Sequence, residues 1–115
     1  MIAQRIGIVG LGLIGGSLAL SLKGKPDAPE VWGFDLRKDA ARMAKKAGAI
    51  ARACTGTEIA SCDVVVVCVP VIRSVGIIRR LGKRMRPGSV LTDVGSVKAE
   101  IVRAGQGGMA RGAEF

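Results

Sequence analysis

With 115 residues, of which 49% are hydrophobic and only 3% aromatic, the chain is long enough for one domain with a packed aliphatic core, which excludes an intrinsically disordered protein. Eighteen Lys and Arg residues against nine Asp and Glu give a net charge of +9. This charge favours anionic partners, but it does not choose among nucleic acid, membrane surfaces and small phosphates or carboxylates. The apolar runs are too short to span a bilayer, so no membrane segment is predicted.

The cysteine content points to a reducing compartment. There are three cysteines (Cys54, Cys62 and Cys68), with no C-x-x-C pair and no histidine for a mixed metal site. Cys68 lies in an aliphatic run, where a thiol behaves as a small hydrophobe. We therefore expect reduced structural cysteines, no metal site and a cytoplasmic protein.

Strands and helices are predicted to alternate along the chain. Strands are predicted at residues 5–9, 30–34, 64–69 and 89–92, and an ambiguous segment at 49–57 is compatible with one more. Helices are predicted at residues 17–23, 39–47 and 96–104, and between 72 and 85, where apolar residues recur at three- and four-residue spacing. This alternation predicts an α/β fold, a doubly wound parallel sheet with helices on both faces.

A glycine-rich turn, predicted at residues 10–16, follows the first strand and opens a helix. It contains the spacing G-x-G-x-x-G, formed by Gly10, Gly12 and Gly15. In a dinucleotide-binding turn the first glycine allows the tight bend, the second lets a pyrophosphate approach, and the third lets helix and strand pack closely. The pyrophosphate would lie on the free backbone N–H groups at the helix start, which include Leu13 and Ile14. These five residues are the predicted cofactor cradle.

An acidic residue completes this pattern at the end of the second predicted strand. Asp35 stands about twenty residues after the glycines, where a carboxylate accepts the hydroxyls of the adenosine ribose. The alternative is a loop or helix-capping Asp. The same carboxylate would repel the 2′-phosphate of NADP, whereas Arg37 and Lys38 either attract that phosphate or are solvated charges at a helix start. The sequence thus predicts a Rossmann-type domain that binds NAD in preference to NADP.

Three segments in order resemble the prephenate and arogenate dehydrogenases. They are residues 6–19 (IGIVGLGLIGGSLA), 63–71 (DVVVVCVPV) and 91–98 (LTDVGSVK). The resemblance covers the chain from residue 6 to about 102. It implies oxidative decarboxylation of prephenate or arogenate, with hydride transfer to NAD, in tyrosine biosynthesis.

The resemblance also implies roles for individual residues. Val69 and Pro70 would line the cofactor cleft, although Pro70 is also a plain strand terminator. Ser96 matches the family serine beside the nicotinamide and the reacting hydroxyl of the substrate, and it is equally an N-cap for the next helix. Lys98 either meets a substrate carboxylate or is solvated.

The chain also departs from the family pattern. The family's catalytic base is a histidine in a Gly-Gly-His-Pro segment, and this chain contains no histidine. The helical second domain, which gives the family its dimer contacts, is also missing. Residues 105–112 are predicted to form a loop, and 113–115 read as the start of a further strand. We therefore expect residues 1–115 to be an incomplete NAD(P)-binding domain, truncated before its last strands, which binds cofactor without turnover and whose full-length protein is a homodimer.

Other functions remain open at this stage. One is a nucleotide-sensing or interaction domain without catalysis, and another is a dehydrogenase of hydroxy acids or imines. Nucleic-acid binding is suggested only by a set of basic residues, Arg73, Arg79, Arg80, Lys83, Arg84 and Arg86, which has no interleaved aromatics and is expected to be a solvated face. Prephenate and arogenate are not distinguished.

Overall fold

The structure, a computed structural model, describes residues 4–94 and 113–115. Within them five parallel strands form one sheet: β1 (Arg5–Val9), β2 (Glu30–Phe34), β3 (Arg52–Ala53), β4 (Val64–Val67) and β5 (Val90–Asp93). Their order in the sheet is β3-β2-β1-β4-β5. The chain therefore moves outward in one direction from β1 to β3 and in the other from β4 to β5, so the strand order reverses between β1 and β4. This arrangement is the Rossmann-type sheet that the sequence predicts.

Helices cover both faces of the sheet. They are α1 (Leu13–Leu22), α2 (Lys38–Lys46), the single turn α3 (Gly56–Ile59) and α4 (Val71–Gly82). One apolar cluster includes Ile59, Val65 and Ile78, and the other includes Ile8 and Ala19. Because both faces of β1 and β4 are covered, these strands are almost continuously aliphatic.

Several element boundaries differ from the sequence predictions. The first helix begins at Leu13, inside the predicted glycine turn, and β4 ends at Val67 although the aliphatic run continues to Val69. The helix α4 ends at Gly82, whereas the apolar spacing continues to Met85, which is buried just beyond the helix. The ambiguous segment 49–57 contains β3 and the first residues of α3. The predicted helix 96–104 and loop 105–112 lie outside the described residues.

None of the helices in the described ranges combines the length and the apolar character needed to cross a bilayer.

Candidate functional site

A groove of about 840 Å³ lies beyond the carboxyl ends of β1 and β4. The glycine turn forms one wall, Asp35 and its neighbours form the second, and the segment from Cys68 to Pro70 forms the third. Parallel α/β sheets bind their ligands in this kind of crevice, where the strand order reverses. The sheet topology therefore brings together three separate sequence segments that were predicted to contact a cofactor.

Two of the three motif glycines are required by the protein's own packing. Gly10 has a φ of +95°, and a Cβ atom there would lie 2.7 Å from the carbonyl oxygen of Cys68. A Cβ atom on Gly15 would lie only 1.8 Å from the carbonyl oxygen of Gly10. The turn is therefore held tightly against the ends of the strands, and α1 starts directly above it.

Gly12 differs from these two glycines because its open side faces the groove. An added Cβ would have a single near neighbour, the Nη2 atom of Arg37 at 3.9 Å. Gly12 is also the N-cap of α1, where no side chain caps the helix and the first turn has no acidic residue. Leu13 and Ile14 begin the helix with exposed side chains. The free amides and the positive end of the helix dipole are thus accessible to an anion.

Asp35 connects the end of β2 to the glycine turn. Its side chain is only 8% exposed, and its Oδ2 accepts a hydrogen bond of 2.8 Å from the backbone N–H of Leu11. Its Oδ1 accepts a second bond of 2.8 Å from the backbone N–H of Arg37. The carboxylate therefore lies beside the glycines, as the predicted ribose contact requires.

The guanidinium of Arg37 donates two further hydrogen bonds to the Asp35 carboxylate. Its Nε lies 3.2 Å from Oδ1 and its Nη2 lies 3.3 Å from Oδ2. Burial acts to raise the pKa of Asp35, but the hydrogen bonds from the Arg37 side chain, from Leu11 and from the Arg37 backbone outweigh it and lower the pKa below its usual value. Asp35 is therefore ionised at neutral pH.

The other predicted site residues have different outcomes. Val69 and Pro70 line the groove, and Pro70 is also the N-cap of α4. Ser96 and Lys98 lie outside the described residues. Arg73, which was grouped with the solvated basic face, is exposed and also lines the groove, because it lies in the first turn of α4. The ion pair between Arg37 and Asp35 was not predicted, although acidic and basic residues two positions apart around a strand end are a signal for it.

The cysteines do not contribute reactive groups to this site. All three are free thiols in the described residues. Burial is the largest effect on each, and it raises the pKa to about 12 for Cys54 and to about 11 for Cys62 and Cys68. The thiols are therefore neutral and behave as apolar packing groups, as the sequence predicted.

Comparison with known proteins agrees with this architecture. The family model described as prephenate dehydrogenase, nucleotide-binding domain, matches residues 18–115. The chain therefore belongs to this family. The matched residues include β2, Asp35 and the segment around Pro70. The glycine turn lies before the matched residues, and in the structure it contacts Asp35 through Leu11.

Individual members of the prephenate dehydrogenase family are similar over most of this chain. The prephenate dehydrogenase of Lactococcus lactis subsp. cremoris is 33% identical over an alignment of 103 residues, and this alignment covers 86% of this chain and 28% of that protein. A structure of Aquifex aeolicus prephenate dehydrogenase with hydroxyphenyl propionate and NAD⁺ has a TM-score of 0.83 at 27% identity, and it matches 96% of this chain and 40% of its own. Synechocystis arogenate dehydrogenase gives a TM-score of 0.81 at 26% identity, with 90% of this chain and 37% of its own. The chain thus spans well under half of these relatives.

Proposed function

We propose that this chain is the NAD-binding domain of a dehydrogenase that oxidatively decarboxylates prephenate or arogenate. The observation that carries the proposal is the hydrogen bond from the backbone N–H of Leu11 to the Asp35 carboxylate. This bond lies next to Gly12, where no side chain blocks the groove. This contact supports the assignment of a ribose acceptor and a phosphate cradle beside each other, at the point where the strand order reverses. A bound NAD would supply the hydride acceptor, and the residues of this chain would bind and orient the cofactor.

The glycine turn fits a diphosphate because it supplies backbone N–H groups without an opposing side chain. Gly12 leaves the approach open, and α1 has no acidic residue in its first turn to compete with an anion. The amides of Leu13 and Ile14 are the proposed donors, while Gly10 and Gly15 fix the backbone that carries them. Val69 and Pro70 would line the opposite wall of the bound cofactor.

Asp35 is the proposed ribose ligand, and its present partners define how it would bind. Its two oxygens provide about four acceptor positions, and all four are filled by Leu11 and Arg37. The two backbone bonds are short, whereas the two bonds from the Arg37 guanidinium are longer and come from a side chain that is 68% exposed. We expect the guanidinium to move aside and release two positions for the two ribose hydroxyls.

We expect the same pair to favour NAD over NADP. A 2′-phosphate would lie near the ionised Asp35 carboxylate and be repelled by it, while Arg37 and Lys38 would partly offset this repulsion. Replacing Arg37 by Ala should change NAD affinity by no more than about fivefold, because exposed ion pairs contribute only about 0.2–1 kcal/mol. The same change should weaken NADP binding more strongly.

Calorimetric titration of the chain with NAD and with NADP tests the cofactor assignment. Asp35→Ala removes two charge-assisted hydrogen bonds of roughly 1.5–3 kcal/mol each, so NAD affinity should fall at least about tenfold and the preference over NADP should narrow. Asp39→Ala is the matched control, since the Asp39 side chain is 83% exposed on α2 and does not line the groove. Equal NAD affinity in the two variants, or no NAD binding by the unaltered chain, would contradict the proposal.

The proposed role of Ser96 rests on the family resemblance of residues 91–98. A serine hydroxyl both donates and accepts, so Ser96 would orient the reacting hydroxyl of the substrate beside the nicotinamide. Replacing it with Ala in a full-length protein that carries this domain should lower kcat and leave NAD affinity unchanged. A purely structural cap would instead lower stability without a selective loss of kcat.

A further inference from the structure

A second recess, which we call the α2–β3 recess, adjoins the cofactor groove at residues Phe34, Asp35 and Leu36. It has a volume of about 800 Å³ and lies between α2 and the residues that follow β3. Phe34, Asp35 and Leu36 line both spaces, whereas the glycine turn and Pro70 line only the groove. Most residues that line the recess therefore do not line the groove, and the volume of the recess is typical of small-molecule sites.

The floor of the α2–β3 recess is apolar. It is formed by Phe34, Ala41, Ala53, Cys54 and Gly56. Cys54 is half-buried, and its Sγ lies 3.5 Å from the carbonyl oxygen of Gly33. A Cβ atom on Gly56 would lie 3.5 Å from the ring of Phe34, which is ordinary van der Waals contact. The absence of a side chain at Gly56 therefore leaves space for a ligand next to the Cζ end of this ring.

The rim of the recess is basic. Lys38, Arg42, Lys45 and Lys46 line it, and their spacing of three or four residues puts them along one side of α2. Arg42 is paired with Asp39, but none of the three lysine ammonium groups has an ion-pair partner within residues 4–94 and 113–115. Like charges at this spacing repel one another, and an anion bound among them removes that repulsion.

The nearby carboxylates do not neutralise this rim. Asp35 is held by Leu11 and Arg37 on the groove side. Glu58, in the helix that begins beside the recess, is paired with Arg52 and also accepts from the backbone N–H of Thr55. The recess thus combines an apolar floor with an uncompensated positive rim.

We propose that the α2–β3 recess is a second ligand site, which binds a small organic anion with a planar apolar body and one carboxylate or phosphate group. The apolar body packs on Phe34 and fills the space that Gly56 leaves, and the acid group is held by Lys45 and Lys46. Both features are needed for selective binding. The apolar floor alone would not distinguish an anion from a neutral ligand, and the lysines alone would be a solvated helix face. This site does not depend on the cofactor assignment.

Titration of the chain with naphthoate and with naphthyl phosphate, followed by backbone amide NMR shifts, tests the proposal and separates the two acid groups. At least one of the two should bind with shifts concentrated at Ala41 and Cys54, while neutral naphthalenemethanol should bind at least about tenfold more weakly because it lacks the charge. Saturating NAD should not displace the bound probe. Displacement by NAD, or equal binding of the neutral probe, would overturn the proposal.

Two pairs of variants locate the site. The double variant Lys45→Ala and Lys46→Ala should weaken the probe about tenfold, whereas Lys83→Ala with Arg84→Ala removes the same charge near the end of α4 and should have no effect. Gly56→Leu should abolish binding by filling the recess. Its control is Gly76→Leu, because Gly76 lies in α4 with no atom within 4 Å of an added Cβ. Unchanged probe affinity in folded Lys45/Lys46 and Gly56 variants, with folding checked by circular dichroism, would refute the site.

Discussion

The close approach of α1 to β1 predicts opposite effects for two adjacent glycines. A Cβ atom on Gly15 would lie 1.8 Å from the carbonyl oxygen of Gly10, whereas ordinary contact begins near 3.4 Å. Helix and turn would have to separate by about 1.6 Å to accept Gly15→Ala. A Cβ atom on Gly16 would lie 3.9 Å from its nearest neighbour, the carbonyl oxygen of Leu11. Gly16→Ala therefore fits without any movement.

The difference between the two variants isolates the steric effect. Both replace a helical glycine by alanine, which by itself stabilises a helix by roughly 0.5–1 kcal/mol. Overpacking at Gly15 should cost about 1–3 kcal/mol beyond this, so Gly15→Ala should be less stable than Gly16→Ala by that amount. For a domain of this size the difference corresponds to about 4–12 °C in Tm.

Thermal unfolding followed by circular dichroism, with and without NAD, measures both consequences. Gly16→Ala should match or exceed the unaltered chain in Tm, and NAD should raise its Tm as in the unaltered chain. Gly15→Ala should have a lower Tm and a smaller increase with NAD, because the amides at the start of α1 move with the helix. Equal Tm values for the two variants would refute the contact between α1 and the turn.

Three further outcomes are expected. The pKa of Asp63 is lowered, mainly by the hydrogen bond that the backbone N–H of Arg5 donates to it, so the ionised Asp63 stabilises the fold above the usual Asp pKa and this stabilisation is lost as the pH falls through the lowered pKa. Asp63→Ala should therefore lower Tm at neutral pH. Below about pH 4 the Tm of this variant should decrease less with falling pH than the Tm of the unaltered chain, as thermal scans at several pH values would show. Trp32 lies between the guanidinium groups of Arg5 and Arg52, each 4.5 Å from its ring centroid, so Trp32→Leu should lower the free energy of unfolding by at least about 1 kcal/mol in denaturant titrations; an unchanged midpoint would contradict this. The chain has no histidine and should bind NAD without producing NADH from prephenate, which an absorbance assay measures, and turnover at ordinary enzyme rates would be the contrary result.

Local patterns in the sequence were sufficient to predict four of the five strands in the described residues. The predicted bounds of β1 and β2 match the structure because each strand is an aliphatic run ended by a turn residue. The sequence left the segment with β3 and α3 ambiguous, because elements of two and four residues are too short to show a periodic pattern. The start of α1 was placed four residues late because Gly15 and Gly16 favour a turn locally. Only the packing of Gly15 on Gly10 shows why the helix contains a glycine at position 15.

By itself the sequence determined which residues are available for a dinucleotide: three glycines at fixed spacing and an aspartate at the end of the next strand. The tertiary structure decided how these residues meet. It joined Asp35 to Leu11, covered the carboxylate with Arg37, turned Arg73 into the groove and left an apolar recess beneath the lysines of α2. The contact between Asp35 and Leu11 depends on β2 lying beside β1 in the sheet, and no spacing within one segment encodes that arrangement.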